Sequence, residues 1–127
     1  MRFALILAAL VAALSGCSAT SGGGGGERPS RDVITAEEIA EAGALNAYEA
    51  VERLRRRWLA PHGASLLEEP SQQFPVVFVD NLEYGELDSL RSIRVTGIRE
   101  IRFIDGRDAV SRYGMEYGAG IIMVVTR

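Results

Sequence analysis

Lysine is absent from this 127-residue sequence, and cysteine, histidine and tryptophan occur once each. A single cysteine excludes an internal disulfide, and so few cysteines and histidines leave no cluster with the spacing of a zinc site. The sequence also contains no Gly-rich phosphate-binding loop. Its formal net charge of −3 argues against binding to nucleic acid. We therefore expect no metal, no cofactor and no nucleic-acid partner.

No apolar run is long enough to form a transmembrane helix in the mature protein. The longest apolar run, Phe3 to Leu14, follows the positively charged Arg2. This arrangement is typical of a secretory signal. The next residues complete the pattern Leu14-Ser15-Gly16-Cys17, which resembles the lipobox of bacterial lipoproteins, where the signal is cleaved before an acylated cysteine. We expect residues 1–16 to be the signal peptide and Cys17 to be lipidated. The alternative is an ordinary secreted protein whose cysteine lies near the cleavage site.

Five consecutive glycines, Gly22 to Gly26, lie in a segment without large apolar side chains. Such a segment cannot bury enough surface to offset its ordering entropy, so residues 17–31 are predicted to be a flexible tether. A tether of this length reaches roughly 20 Å, which would hold the domain near the membrane. Ser18 stands where aspartate favours inner-membrane retention of lipoproteins. We therefore expect attachment to the outer membrane, on its periplasmic face.

Two helix starts are indicated by their caps. Thr35 and Glu38 have the spacing of a capping box, and Gly43 favours a left-handed C-cap. Asn46 starts a longer helix that must end before Pro61. The apolar face of this helix is formed by Tyr48, Val51, Leu54, Trp58 and Leu59. Its arginines, Arg53, Arg56 and Arg57, form either a lipid- or partner-binding patch or the solvated side of an amphipathic helix.

Apolar or alternating runs rich in β-branched residues predict three strands farther along the chain. These strands are Val76–Val79, Ile98–Ile104 and Ile121–Val125. The side chains that we expect to be buried in the sheet are Val77, Phe78, Ile101, Phe103, Ile122 and Val124.

Turn and helix signals separate the strands. Asp80-Asn81 is a turn pair, helical spacing predicts a short helix over 87–93, and Asp108 is expected to cap another that ends at Gly114. The alternation of strands and helices predicts an α+β domain over residues 32–127. Its mixed sheet would have about three to four strands, right-handed crossovers and short helices packed on it.

Three motifs occur in order along this domain. Pro75-Val76-Val77-Phe78-Val79-Asp80-Asn81 is a strand that ends in a turn, and Ile98–Ile104 is a strand with charged alternate residues. Asp108–Gly114 precedes spaced glycines and a Val/Ile-rich strand that ends in Thr-Arg. Together with the predicted helices from Thr35 to Leu59, these motifs resemble the plug domain of TonB-dependent receptors. The resemblance covers nearly the whole folded part, and the closing segment is its most specific piece.

The resemblance implies a plug-like domain, which in the receptors lies inside a transmembrane β-barrel on the same chain and takes part in import. Here the sequence ends at Arg127, where the barrel would begin, so we expect no transport by this chain alone. We expect a non-catalytic binding module in envelope uptake, with TonB or a TonB-dependent barrel protein as its partner. The resemblance identifies no small-molecule ligand. The alternative is a structural or surface scaffold lipoprotein without a role in transport.

Two groups of residues are candidates for contact with such a partner. Asp32-Val33-Ile34-Thr35 resembles the segment before plugs that adds a strand to TonB. The alternative is that it forms the first strand of the domain. Deletion of residues 32–35 should weaken TonB binding if strand addition is the mode of contact, and should leave the fold intact because the predicted core lies downstream. The second group is Asp80 and Asn81 in one loop, with Arg112 and Tyr113 in another.

The sequence does not favour catalysis. His62 lies in a Pro-His-Gly turn and Ser65 is the nearest nucleophile, but nothing in the pattern supplies a third orienting group or an oxyanion hole. Asp80, Asp105 and Asp108 occur at turns, where aspartate is favoured for local capping. We therefore expect neither an enzyme nor a metal site.

Overall fold

The computed structural model describes residues 30–62 and 73–127. The predicted signal peptide (1–16), Cys17 and nearly all of the tether lie outside the described residues, as does Ser65. The strands and α-helices, in chain order, are β1 (Val33–Thr35), α1 (Ala36–Ala42), α2 (Ala47–Arg55), β2 (Val76–Val79), β3 (Leu82–Gly85), β4 (Ile98–Ile104), α3 (Gly106–Tyr113) and β5 (Ile121–Thr126). Short 3-10 helices cover Arg56–Leu59, Leu87–Ser92, Val95–Gly97 and Met115–Tyr117. None of the helices described here is long and apolar enough to cross a membrane.

The caps predicted for the first two helices are confirmed. The Thr35 hydroxyl accepts a hydrogen bond from the backbone N–H of Glu38, and the Glu38 carboxylate accepts one from the N–H of Thr35. Gly43 ends α1 in the left-handed conformation, at φ 62°. The Asn46 side chain accepts from the N–H of Glu49 at the start of α2. These contacts are local, so residue type and spacing suffice to predict them.

The predicted cap of α3 is wrong by three residues. The Asp105 carboxylate accepts hydrogen bonds from the backbone N–H groups of Arg107 and Asp108, so α3 begins at Gly106. Asp108 lies instead in the first turn, where a negative charge interacts favourably with the helix dipole. The predicted end at Gly114 is confirmed.

The α+β fold is confirmed, and the mixed sheet has five strands in the order β1-β4-β5-β2-β3. Only β2 and β5 are parallel; every other neighbouring pair is antiparallel. The strand beyond the expected three to four is β3, which forms a hairpin with β2. Asp80 and Asn81 make its two-residue turn, with φ of 48° and 68°. The segment that begins with Asp32 contributes the first strand, β1, at one edge of the sheet.

The expectation of successive crossovers is wrong for β4 and β5, which run antiparallel. The segment between them folds back on itself, because the start of α3 packs against the backbone that precedes β5. A Cβ atom at Gly106 would overlap the carbonyl oxygen of Gly118. The chain therefore returns to the end of the sheet where β4 finishes, and Ile104 pairs with Ile121.

Two apolar cores cover the two faces of the sheet. The larger core lies under α1 and α2 and includes Ile34, Val51, Trp58, Leu90 and Ile101. The smaller core lies under α3 and includes Phe78, Ala109, Ile121 and Met123. Of the side chains predicted to be buried, those of Val77, Phe78, Ile101, Ile122 and Val124 are buried. The prediction is wrong for Phe103, which is half-buried because the pairing of the edge strand β1 ends at Arg102 and Phe103 borders an open cavity.

Candidate partner-binding groove

The turn between β2 and β3 is tied to the last strand. The Asp80 carboxylate accepts hydrogen bonds from the hydroxyl and the backbone N–H of Thr126, the latter at 2.9 Å. These hydrogen bonds, with that from the hydroxyl as the larger cause, lower the pKa of Asp80 below its usual value. The backbone N–H of Asp80 donates to the carbonyl of Val124. The turn is thus fixed against the end of β5.

The end of α3 lies beside the same turn. The Tyr113 hydroxyl donates a hydrogen bond of 3.3 Å to the side-chain oxygen of Asn81. The rings of Tyr113 and Tyr117 both pack edge-on against Phe78, with centroid separations of 5.2 and 5.3 Å. The Tyr117 hydroxyl donates to the Glu83 carboxylate, which raises the pKa of Tyr117 to about 12. The structure therefore brings together the two loops that the sequence analysis selected separately.

Charged side chains of β4 continue this surface along the sheet. Arg102 forms an ion pair with Glu100, and Arg99 Nη2 lies 3.7 Å from the same carboxylate oxygen. The side chains of both arginines remain more than half exposed, at 63% for Arg99 and 53% for Arg102, whereas that of Glu100 is 18% exposed. The two guanidinium groups are therefore accessible, and the carboxylate lies beneath them.

Two adjoining cavities form a groove on the α3 side of the sheet. One, of about 310 Å³, is lined by Asp80, Asn81, Arg99, Glu100, Arg102, Ile104, Arg112, Tyr113, Met123 and Val125. The other, of about 250 Å³, is lined by Asp32, Val33, Arg102, Phe103, Ile104, Asp105, Asp108 and Arg112. Arg102, Ile104 and Arg112 line both cavities. We call this surface the α3-side groove.

Most of the predicted partner-binding residues line the α3-side groove, but two do not. Asp32, Val33, Asp80, Asn81, Arg112 and Tyr113 line it. Ile34 is fully buried in the opposite core, and Thr35 caps α1. The premise that the core lies entirely downstream of residues 32–35 is therefore wrong, and we now expect their deletion to destabilise the fold, because it would remove a core side chain and a cap.

The outer edge of β1 is occupied by contacts within the domain. The Val33 N–H donates to the carbonyl of Ser30, and the Val33 carbonyl accepts from Arg55 Nη2 at 3.3 Å. The same guanidinium donates to the Ser30 carbonyl and to the Glu38 carboxylate. The Thr35 N–H is used in the capping box. A strand added at this edge would first have to break these hydrogen bonds.

The groove offers charged groups and hydrogen-bonding groups to a ligand. The described residues contain no group of three or more acidic, histidine or cysteine side chains that could hold a metal ion.

Sequence reasoning missed Arg99, Glu100 and Arg102, whose alternation with apolar residues was interpreted only as a solvated strand face. The alternate positions of Glu100 and Arg102 would have been the signal for those two residues, whereas Arg99 lies at an irregularity in the pairing of β4 with β5 that the sequence does not indicate. No protein-family model matches this chain, and a search of curated proteins finds no similar sequence.

Proposed function

We propose that this protein is an outer-membrane lipoprotein whose domain binds a protein of a TonB-linked uptake system and has no catalytic activity. The partner is TonB or a TonB-dependent barrel protein. The resemblance to receptor plugs motivates this choice of partner. The single observation that carries the binding role is the α3-side groove, where residues of β1, the β2–β3 turn, β4, α3 and β5 meet.

The charges of the groove suit a protein partner with charges of both signs. Arg102 and Arg112 lie where the two cavities adjoin, and Asp32, Asp80 and Asp108 lie around them. Complementary charge across an interface contributes mainly to specificity and to the rate of association. The binding should therefore weaken as the salt concentration rises.

The contact is made through side chains rather than by strand addition at Asp32–Thr35. The side chains of Arg55 and Glu38 already form hydrogen bonds with the backbone groups at the outer edge of β1. An added strand would therefore find few free backbone donors and acceptors there. The proposed lipid anchor would raise the effective concentration of the domain near membrane partners without adding any contact.

The experiment compares the wild-type lipoprotein with the double variant Arg102→Gln/Arg112→Gln in cross-linked outer membranes and in titrations against the TonB C-terminal domain. The matched control is Arg107→Gln, an exposed arginine of α3 that lies outside the groove lining. We expect the double variant to lose cross-links or affinity that the control retains. If the wild type contacts neither TonB nor a barrel protein, the uptake proposal is wrong and the scaffold-lipoprotein alternative stands.

A further inference from the structure

We propose that a second cavity, on the opposite side of the sheet, binds a small aromatic acid. This cavity has a volume of about 610 Å³, roughly twice that of the larger part of the α3-side groove. Pockets of this size hold small organic ligands. Its lining residues are Arg31, Asp32, Leu54, Arg55, Arg56, Arg57, Trp58, His62 and Phe103. We call it the arginine cavity.

The rim of the arginine cavity is cationic although the chain as a whole carries a formal net charge of −3. Four arginines and only one acidic residue, Asp32, line it. Arg55 is engaged with the Glu38 carboxylate and with backbone carbonyls, which makes it structural. Arg31, Arg56 and Arg57 are exposed and form no ion pair with another described residue. Their guanidinium groups can donate paired hydrogen bonds to a carboxylate.

The floor of the arginine cavity is aromatic. The rings of Trp58 and Phe103 stack with a centroid separation of 5.6 Å and an interplanar angle of 18°. His62 continues the row, with its ring centroid 5.1 Å from that of Phe103. Trp58 is only 5% exposed, whereas Phe103 is half-buried and His62 is exposed. The accessible end of the row can therefore pack against one further ring.

A cationic rim over an aromatic floor selects for a ligand that carries both a negative charge and a planar ring. An aliphatic acid would use only the arginines, and a neutral ring would use only the floor. The ligand class is therefore an aromatic carboxylate. Asp32 and Phe103 line both the cavity and the groove, whereas Arg56, Arg57, Trp58 and His62 line the cavity and not the groove. The inference therefore does not depend on the proposed uptake partner, because it is tested through residues that the groove does not contain.

Binding in the cavity can be followed by the fluorescence emission of Trp58, the only tryptophan in the sequence. The full-length protein would be titrated at constant ionic strength with benzoate, benzamide and acetate, and the emission of Trp58 would be followed together with the heat of binding. Benzoate has both ligand features, benzamide lacks the charge, and acetate lacks the ring. We expect a saturable response to benzoate with affinity about tenfold higher than for benzamide, since a hydrogen bond to a charged group contributes on this scale. We expect a similar advantage over acetate, since packing of an aromatic ring contributes on the same scale.

Two variants test the assignment of the residues. Arg56→Gln/Arg57→Gln should weaken benzoate binding about tenfold, by loss of charge-assisted hydrogen bonds, and should leave the thermal unfolding curve unchanged. Arg107→Gln, which removes an exposed arginine of α3 outside the cavity, should bind benzoate as the wild type does. The proposal is overturned if benzoate gives no saturable response or no advantage over the two control compounds. It is also overturned if the double variant binds benzoate as tightly as the wild type.

Discussion

Replacement of Ile34 by alanine tests whether β1 belongs to the core or is a free arm. The side chain of Ile34 is fully buried among residues of the larger core, and its strand pairs with Ile101 of β4. Truncation of a buried isoleucine to alanine costs about 2–5 kcal/mol, depending on how far the site can collapse. Because β1 is an edge strand and can move inward, we expect about 3 kcal/mol. For a domain of this size, that corresponds to a fall in Tm of about 12–24 °C.

The measurement is urea and thermal unfolding, followed by circular dichroism and by the emission of Trp58. The matched control is Val33→Ala, one residue earlier in β1, where the side chain is only half-buried and points to the other face. Removal of its partly exposed methyl groups should cost about 1 kcal/mol or less. If Ile34→Ala unfolds no more easily than Val33→Ala, β1 does not pack in the core, and the free-arm interpretation of this segment returns.

Two further predictions concern acid stability and the anchor. The pKa of Asp80 is lowered in the folded protein by hydrogen bonds from Thr126, so this carboxylate contributes stability above its unfolded pKa that is lost as the pH falls through the lowered value. Asp80→Asn should accordingly lower the Tm at neutral pH, and its difference from the wild type should shrink as the solution is acidified; a difference independent of pH would contradict the assignment. Cys17→Ser should lose metabolic palmitate label and move to the soluble periplasmic fraction, because acyl chains supply the membrane affinity. Equal membrane retention of this variant would contradict the lipobox interpretation.

Local signals in the sequence predicted the elements of the fold well. The capping residues Thr35 and Asn46 and the left-handed Gly43 each depend on interactions within a few residues. The strand Val76–Val79 could be predicted because its own residues form an unbroken β-branched and aromatic run. The misplaced cap of α3 is also a local error, of three residues. Asp105 and Asp108 are both good capping residues three positions apart, and only the direction of the chain as it leaves β4 selects the first of them.

The order of the strands could not be predicted from such signals. A buried apolar run is equally consistent with a parallel or an antiparallel neighbour, so the sequence did not distinguish a crossover after β4 from a return. The return includes a close backbone contact that needs a glycine at position 106, next to the carbonyl of Gly118. Nothing in the sequence distinguishes these two glycines from those in ordinary turns. The hairpin strand β3 was missed because the alternation Leu82-Glu83-Tyr84 is shorter than the roughly four to eight residues that indicate a strand, and its apolar side chains are exposed.

The α3-side groove is a consequence of that strand order. Because β5, the last strand, lies between β2 and β4, the turn that follows β2 is held against Thr126 at the end of β5. The antiparallel β4 then places Arg102 opposite Met123, and α3 carries Arg112 across the same face. Each of these residues is unremarkable in its own segment, and the site exists only where the segments meet. A change that disturbs the packing of β5 should therefore weaken partner binding even when no groove residue is altered.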